Sequence, residues 1–343
     1  MIKIKDFKNL INQPEYNFLR DNEHLGNKII FLTLGGSHAY GTNVESSDID
    51  IRGCALNNKS DLIGMTNFEQ VINEQTDTTI YAFNKLVGLL INTNPNTIEM
   101  LGCKPDQYIV MTQIGQELIN NKKLFLSKRA INSFGGYANQ QLRRLQNALA
   151  RDTCPQAEKE KHILNSITFA MTDFTSRYQE FEDGSIKLYV DKSDKTDMDS
   201  EIFMDVNLTH YPLRDYKSMW SEMNNIVKEY SKLNSRNRKK DDLHLNKHAM
   251  HLVRLYLMCL DIFEKEEIIT YRGNDLELLM SIRNGAYQKE DGTFMTEFFD
   301  MITEYENRLK YAQENTNLPS NPDLKKIEEF VMSVNERVIN ESY

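Results

Sequence analysis

Two aspartates separated by one isoleucine, within Asp48-Ile49-Asp50-Ile51-Arg52-Gly53, are the residues of this chain best suited to do chemistry. On an extended strand alternate side chains share a face, so both carboxylates project together while Ile49 and Ile51 turn toward a core. Carboxylates held this close raise one another's proton affinity unless a cation lies between them. A hard divalent ion such as Mg²⁺ resolves the conflict, because it takes oxygen ligands and keeps water positions for substrate phosphates. Alone, such a pair usually marks a solvent-facing strand, so the residues before it decide.

Those residues are Gly35-Gly36-Ser37, about ten positions upstream, at the end of the apolar, β-branched run Ile29-Ile30-Phe31-Leu32-Thr33-Leu34. The run predicts a buried strand entering a tight turn. Glycines in such a turn let main-chain N–H groups approach a phosphate, and a following helical turn over Ser37 to Gly41 adds a favourable dipole. The Ser37 hydroxyl supplies a further donor.

Leu34-Gly35-Gly36-Ser37, a spacer, and then Asp48-Ile49-Asp50-Ile51 resemble the signature of nucleotidyltransferases of the DNA polymerase beta superfamily. The fuller strings, Gly36-Ser37-His38-Ala39-Tyr40-Gly41-Thr42 and Ser47-Asp48-Ile49-Asp50-Ile51-Arg52-Gly53, are similar to the branch associated with RNA repair and found beside RNA ligases. The likeness continues through Asn94-Pro95-Asn96 with Ile98-Glu99-Met100-Leu101, through Lys247 to Arg254, and through Ile282-Arg283-Asn284-Gly285. It implies a third carboxylate on a neighbouring strand. Asp77 is the first choice because it opens the extended run Asp77–Ala82, with Glu74 second and Glu99 third. It also implies two Mg²⁺ ions held by Asp48, Asp50 and Asp77, with Mn²⁺ as a substitute, and in-line transfer of a nucleoside monophosphate from an NTP.

Farther along, Lys247, His251 and Arg254 form one stripe of a predicted helix from Leu243 to Lys265 and are candidate nucleotide-binding donors beside Gly35, Gly36 and Ser37. A zinc site on His244, His248 and His251 is the weaker alternative, since no cysteine or carboxylate has a matching spacing. Basic clusters at Lys122-Lys123, Lys128-Arg129, Arg143-Arg144 and Arg236 through Lys240 read first as solvated faces, although the last could guide a polyanion. Tyr137 and Tyr178 are aromatic positions that suit core packing better than base stacking.

The elements that must position these groups change character along the chain. Strands at 29–34, 48–53 and 77–82 give way to a helix over Phe83–Ile91 and a short one near Thr97–Leu101. Helical periodicity then covers roughly 127–150, 158–181, 214–233, 243–265, 294–313 and 322–341, interrupted by a polar, β-compatible insert from Glu182 to Tyr211. This predicts an α+β protein: a small mixed-sheet catalytic domain over 1–120, then a larger, mainly helical domain over 121–343 that closes a cleft and contributes to acceptor binding. The four cysteines are widely spaced, no run is apolar for about 18 residues, and no signal-like start is present, which together read as a cytoplasmic protein. A net charge of −9 argues against a generic nucleic-acid coat but not against a basic cleft. The expected reaction is nucleotide addition to an RNA or tRNA 3′ end. Nucleotidylation of a protein or small molecule, as in a toxin or defence system, and an inactive nucleotide-binding module are the alternatives.

Overall fold

Six consecutive buried residues, Ile29–Leu34, form strand β1, as their apolar and β-branched character predicts. The computed structural model describes residues 4–152, 186–194, 200–217, 220, 221, 223, 224, 227, 228, 242–290 and 292–342. Contacts divide the chain into two units, one made of Met1–Arg143 with Asn246–Tyr343 and the other of Arg144–Leu245.

In the first unit, α1 (Ile4–Leu10) and α2 (Phe18–Asp21) precede β1. Then come α3 (Gly36–Tyr40), β2 (Ile51–Ala55), α4 (Lys59–Ile63), β3 (Gln70–Asn73), β4 (Thr78–Ala82), α5 (Phe83–Ile91), α6 (Pro95–Ile98), β5 (Tyr108–Met111) and α7 (Gln113–Asn120). Helix α8 (Ala130–Asp152) leads out of this unit. Helix α9 (Asp242–Lys265) leads back, followed by α10 (Leu276–Arg283), α11 (Thr296–Asn315) and α12 (Leu324–Ile339). The second unit contains an antiparallel hairpin, β6 (Ile186–Lys192) with β7 (Ser200–Val206), inside the insert read as β-compatible. The helix expected over 158–181 lies outside the described residues, and so does half of the one over 214–233. Among the described residues no helix is long and apolar enough to cross a membrane.

The expected α+β architecture is present: a five-strand mixed sheet in the N-terminal region, then a mostly helical C-terminal part. The strand order is β3-β4-β2-β1-β5, with β2 and β4 parallel and the other pairs antiparallel. One sheet face buries Leu32, Leu34, Ile51, Ala55, Ile80 and Ala82 against Phe7, Tyr16, Leu19 and Leu25 from the N-terminal segment. One sequence expectation needs correction: β2 begins at Ile51, so Asp48 and Asp50 precede the strand rather than lie within it.

Helix α3 is too short to be stable alone, because a single turn carries the full nucleation cost with almost no propagation. Buried partners hold it. The Tyr40 hydroxyl donates to both carboxylate oxygens of Glu99, at 2.8 and 2.9 Å. Arg254 on α9 donates from Nη1 to Glu99 Oε2 at 3.1 Å, and its guanidinium carbon lies 3.6 Å from the centre of the Tyr40 ring. Asn94 caps the helix leading to Glu99 by accepting from the Asn96 N–H. Gly41 ends α3 in the left-handed conformation, at φ +80°, with no room for a Cβ beside Tyr271. Arg283 donates to the Thr42 carbonyl at 2.7 Å.

Removing one member of a buried ion pair strands the other's charge. Arg254→Met should therefore cost about 3–5 kcal/mol of unfolding free energy. Adding Glu99→Gln should recover part of that loss, because the buried charge disappears. Denaturant titration measures both, and a single-variant loss under about 1 kcal/mol would contradict the assigned role.

Candidate active site

The sheet register builds the site. Leu34 at the end of β1 pairs with Ile51 at the start of β2, which in turn pairs with Thr78 at the start of β4. One residue beyond each lie Gly35, Asp50 and Asp77, and the main chain stitches them into a row. The Gly35 N–H donates to the Asp50 carbonyl at 2.8 Å, and the Ile51 N–H donates to the Asp77 carbonyl at 3.2 Å. Gly36 follows in the left-handed region, at φ +52°, and a Cβ there would collide with Asp50 Oδ2. The carboxylate thus sits directly against the glycine turn, an approach that only a residue without a side chain permits.

The Asp50 and Asp77 carboxyls lie close enough that each alters the proton affinity of the other. Arg52 spans the pair: its Nη2 lies 3.2 Å from Asp50 Oδ1 and 3.1 Å from Asp77 Oδ1, and its Nη1 donates to the Asp77 carbonyl at 2.5 Å. Arg52 was given no role from the sequence, although its place two residues after Asp50 was the signal that could have found it. Asp77 itself has φ 43°, a left-handed conformation uncommon for a residue with a side chain. Glu74 is exposed in the turn before it, and Glu99 is buried in the Tyr40–Arg254 network.

Asp48 lies exposed in the irregular segment before β2. The spacer ahead of it closes a turn of its own, in which the Ser47 N–H donates to the Val44 carbonyl and the Val44 N–H to Ser47 Oγ. Among the described residues, no three His, Cys, Asp or Glu side chains converge tightly enough to hold a metal ion. The structure brings Asp50, Asp77 and Gly36 together and leaves Asp48 outside that contact. Two neighbouring carboxylates with a guanidinium across them are oxygen donors of the kind a hard divalent cation takes. Ser37 is half-buried in the first turn of α3.

The three donors expected on α9 have different fates. Lys247 is exposed, and its charge acts on Asp50 in the direction that favours the carboxylate. Arg254, 1% exposed, is committed to Glu99 and Tyr40 and presents no surface to a ligand. His251 lies between them in role. Arg254 Nη2 donates to its Nδ1 at 3.0 Å, and Tyr137 meets its ring edge-on. Burial first, and then the neighbouring cations Arg254, His248 and Lys247, hold the imidazole well below its usual proton affinity. Because an arginine can only donate, neutral His251 carries its proton on Nε2. His244 and His248 of the same helix belong to no cluster of metal-binding side chains among the described residues.

Burial first, and then the hydrogen bond with Asp77, push the Asp50 carboxyl up to about 7, with Arg52 and Lys247 opposing. Asp77 moves down, chiefly through that same hydrogen bond. The two carboxyls titrate as a pair, with proton affinity raised at Asp50 and lowered at Asp77. Between about pH 4 and 7 the folded chain holds a proton on Asp50 that the unfolded chain has lost, so this group lowers stability as pH rises through that window. The lowered Asp77 acts in the opposite sense, but only below about pH 4. In chelator, Asp50→Asn should thus be more stable than the parent at pH 8, by on the order of 1–3 kcal/mol, and the difference should vanish near pH 4. Paired thermal melts test this, and a parent that is the more stable at pH 8 would contradict it.

Neither the curated proteins nor the solved structures provide a match to this chain. The model of one family, RlaP, described as the RNA repair pathway DNA polymerase beta family, matches residues 11–333. That span contains the glycine turn, the three aspartates and the helices that support them. The chain belongs to the RNA repair pathway DNA polymerase beta family.

Proposed function

We propose that this protein is a divalent-metal-dependent nucleotidyltransferase that joins a nucleoside monophosphate from an NTP to the 3′ hydroxyl of an RNA, releasing pyrophosphate. The observation that carries the proposal is the contact of the Asp50 carboxylate with both Gly36 and Asp77 at the ends of three adjacent strands. In the step, the acceptor oxygen bonds to the α-phosphorus and the bond from that phosphorus to the bridging oxygen of pyrophosphate breaks. The hydroxyl proton passes to a site carboxylate.

Asp50 and Asp77, joined by Asp48 from the exposed segment ahead of β2, would hold two Mg²⁺ ions, for which Mn²⁺ would substitute. When bound, these supply positive charge to the triphosphate and acidify the attacking hydroxyl. Arg52, which pairs with both carboxylates, would also be within reach of an anion bound beside them. The main chain of Gly35 and Gly36 and the Ser37 hydroxyl grip the phosphates at the α3 turn. Lys247 contributes charge from α9, and His251 offers its Nε2–H as a neutral donor. Arg254 acts at one remove, by orienting His251 and bracing Tyr40 of the turn. The acceptor assignment rests on membership of an RNA repair family.

Incubation of the protein with each α-labelled NTP and Mg²⁺, with RNA and protein pools kept apart, should place label on RNA ends. Label confined to protein would replace the acceptor with a side-chain hydroxyl. Asp50→Asn and Asp77→Asn should each lower the rate by about two orders of magnitude or more, as should chelation. Gly36→Ala should do the same while folding is retained, because its Cβ displaces Asp50. Lys247→Ala should act mainly on KM for the NTP. A Gly36→Ala enzyme with undiminished rate would refute the geometry of the site.

A further inference from the structure

The second unit carries a surface that the nucleotidyl-transfer site does not use. Leu213–Asp215 form a short 3-10 turn, and the described residues from Tyr216 to Lys228 are helical. Leu213, Tyr216, Trp220 and Val227 recur at helical spacing and are 85, 46, 60 and 48% exposed, whereas Met223 on the same stripe is buried. Large side chains left in water along one face are what a ligand surface shows and a core helix does not. Two of them are already stacked: the rings of Tyr216 and Trp220 lie 6.4 Å apart between centroids, at 18°.

The adjoining stripe is polar. Arg214, Lys217, Ser221, Asn224 and Lys228, each one position after a member of the first stripe, are exposed at the same three- and four-residue spacing. Three of these five are cationic and none is acidic, in a chain whose net charge is −9. An apolar protein partner would be served by the first stripe alone and gains nothing from three cations beside it. A single-stranded nucleic acid needs both: aromatic faces for unpaired bases and a parallel row of cations for the phosphates.

We infer that the Tyr216–Trp220 pair, flanked by Arg214, Lys217 and Lys228, is a stacking platform for unpaired bases of the RNA acceptor. The inference rests on the RNA reading proposed above. A paired helix presents no free base faces, so the platform selects RNA with a single-stranded segment.

Trp220 is the only tryptophan of the chain, so its fluorescence reports on this surface alone. The full-length protein is titrated with a single-stranded RNA of roughly ten nucleotides and, separately, with a blunt RNA duplex of equal length. The single strand should quench Trp220 and the duplex should not. With end-labelled RNA, Trp220→Ala should weaken single-strand binding about tenfold, whereas Trp220→Phe, which keeps an aromatic face, should keep most of it. Lys217→Glu should weaken binding and flatten its salt dependence. RNA that binds and is extended while Trp220 stays unquenched would overturn the platform and leave the proposed reaction standing. Quenching by RNA without transfer would leave the platform standing and overturn the reaction. Emission that changes with protein concentration alone, and not with RNA, would identify the surface as a self-association face and overturn the inference.

Discussion

The geometry of this protein turns on one unfavourable proximity. Asp50 and Asp77 are brought together by the parallel pairing of β2 and β4, each lying one residue before its strand, and Arg52 reaches both. The fold places Arg52 across the pair, and burial raises the proton affinity of the Asp50 carboxyl. Under the proposed function a divalent cation would neutralise both carboxylates and take over the role of the guanidinium.

The supporting structure follows from that constraint. The proposed reaction requires the glycine turn to stay beside the carboxylates, and a five-residue helix cannot hold itself there. The segments outside the catalytic signature that resemble the family supply the bracing. Asn94 caps the helix that delivers Glu99, Arg254 completes the buried pair beneath Tyr40, and Arg283 holds the carbonyl of Thr42. Arg254 also fixes the tautomer of His251, so one buried guanidinium couples the position of the turn to the donor on the neighbouring helix.

Much of this was legible in the sequence, for identifiable reasons. β1 and α5 match the expected spans because their burial patterns are unambiguous, whereas the run expected to open at Asp77 becomes a strand one residue later, at Thr78. The start of β2 was not legible, because Asp48-Ile49-Asp50-Ile51 alternates whether or not it is paired; only the partner strand decides where pairing begins. The edge strands β3 and β5, four residues each and largely half-exposed, carry no pattern that separates them from loop. Arg254 read as a ligand-facing cation because helical spacing gives a stripe but not what the stripe faces. Its partners, Glu99 and Tyr40, are distant in sequence, and such pairings leave no local trace.

The central claim is that Asp50 and Asp77 gather divalent cations beside the glycine turn. Anomalous scattering from crystals grown with Mn²⁺ and a non-hydrolysable NTP tests it directly. The account predicts manganese bound by both carboxylates, with Arg52 withdrawn from them and the phosphates against Gly35, Gly36 and Ser37. Manganese and nucleotide bound elsewhere, with Arg52 still bridging an unmetallated Asp50 and Asp77, would contradict it.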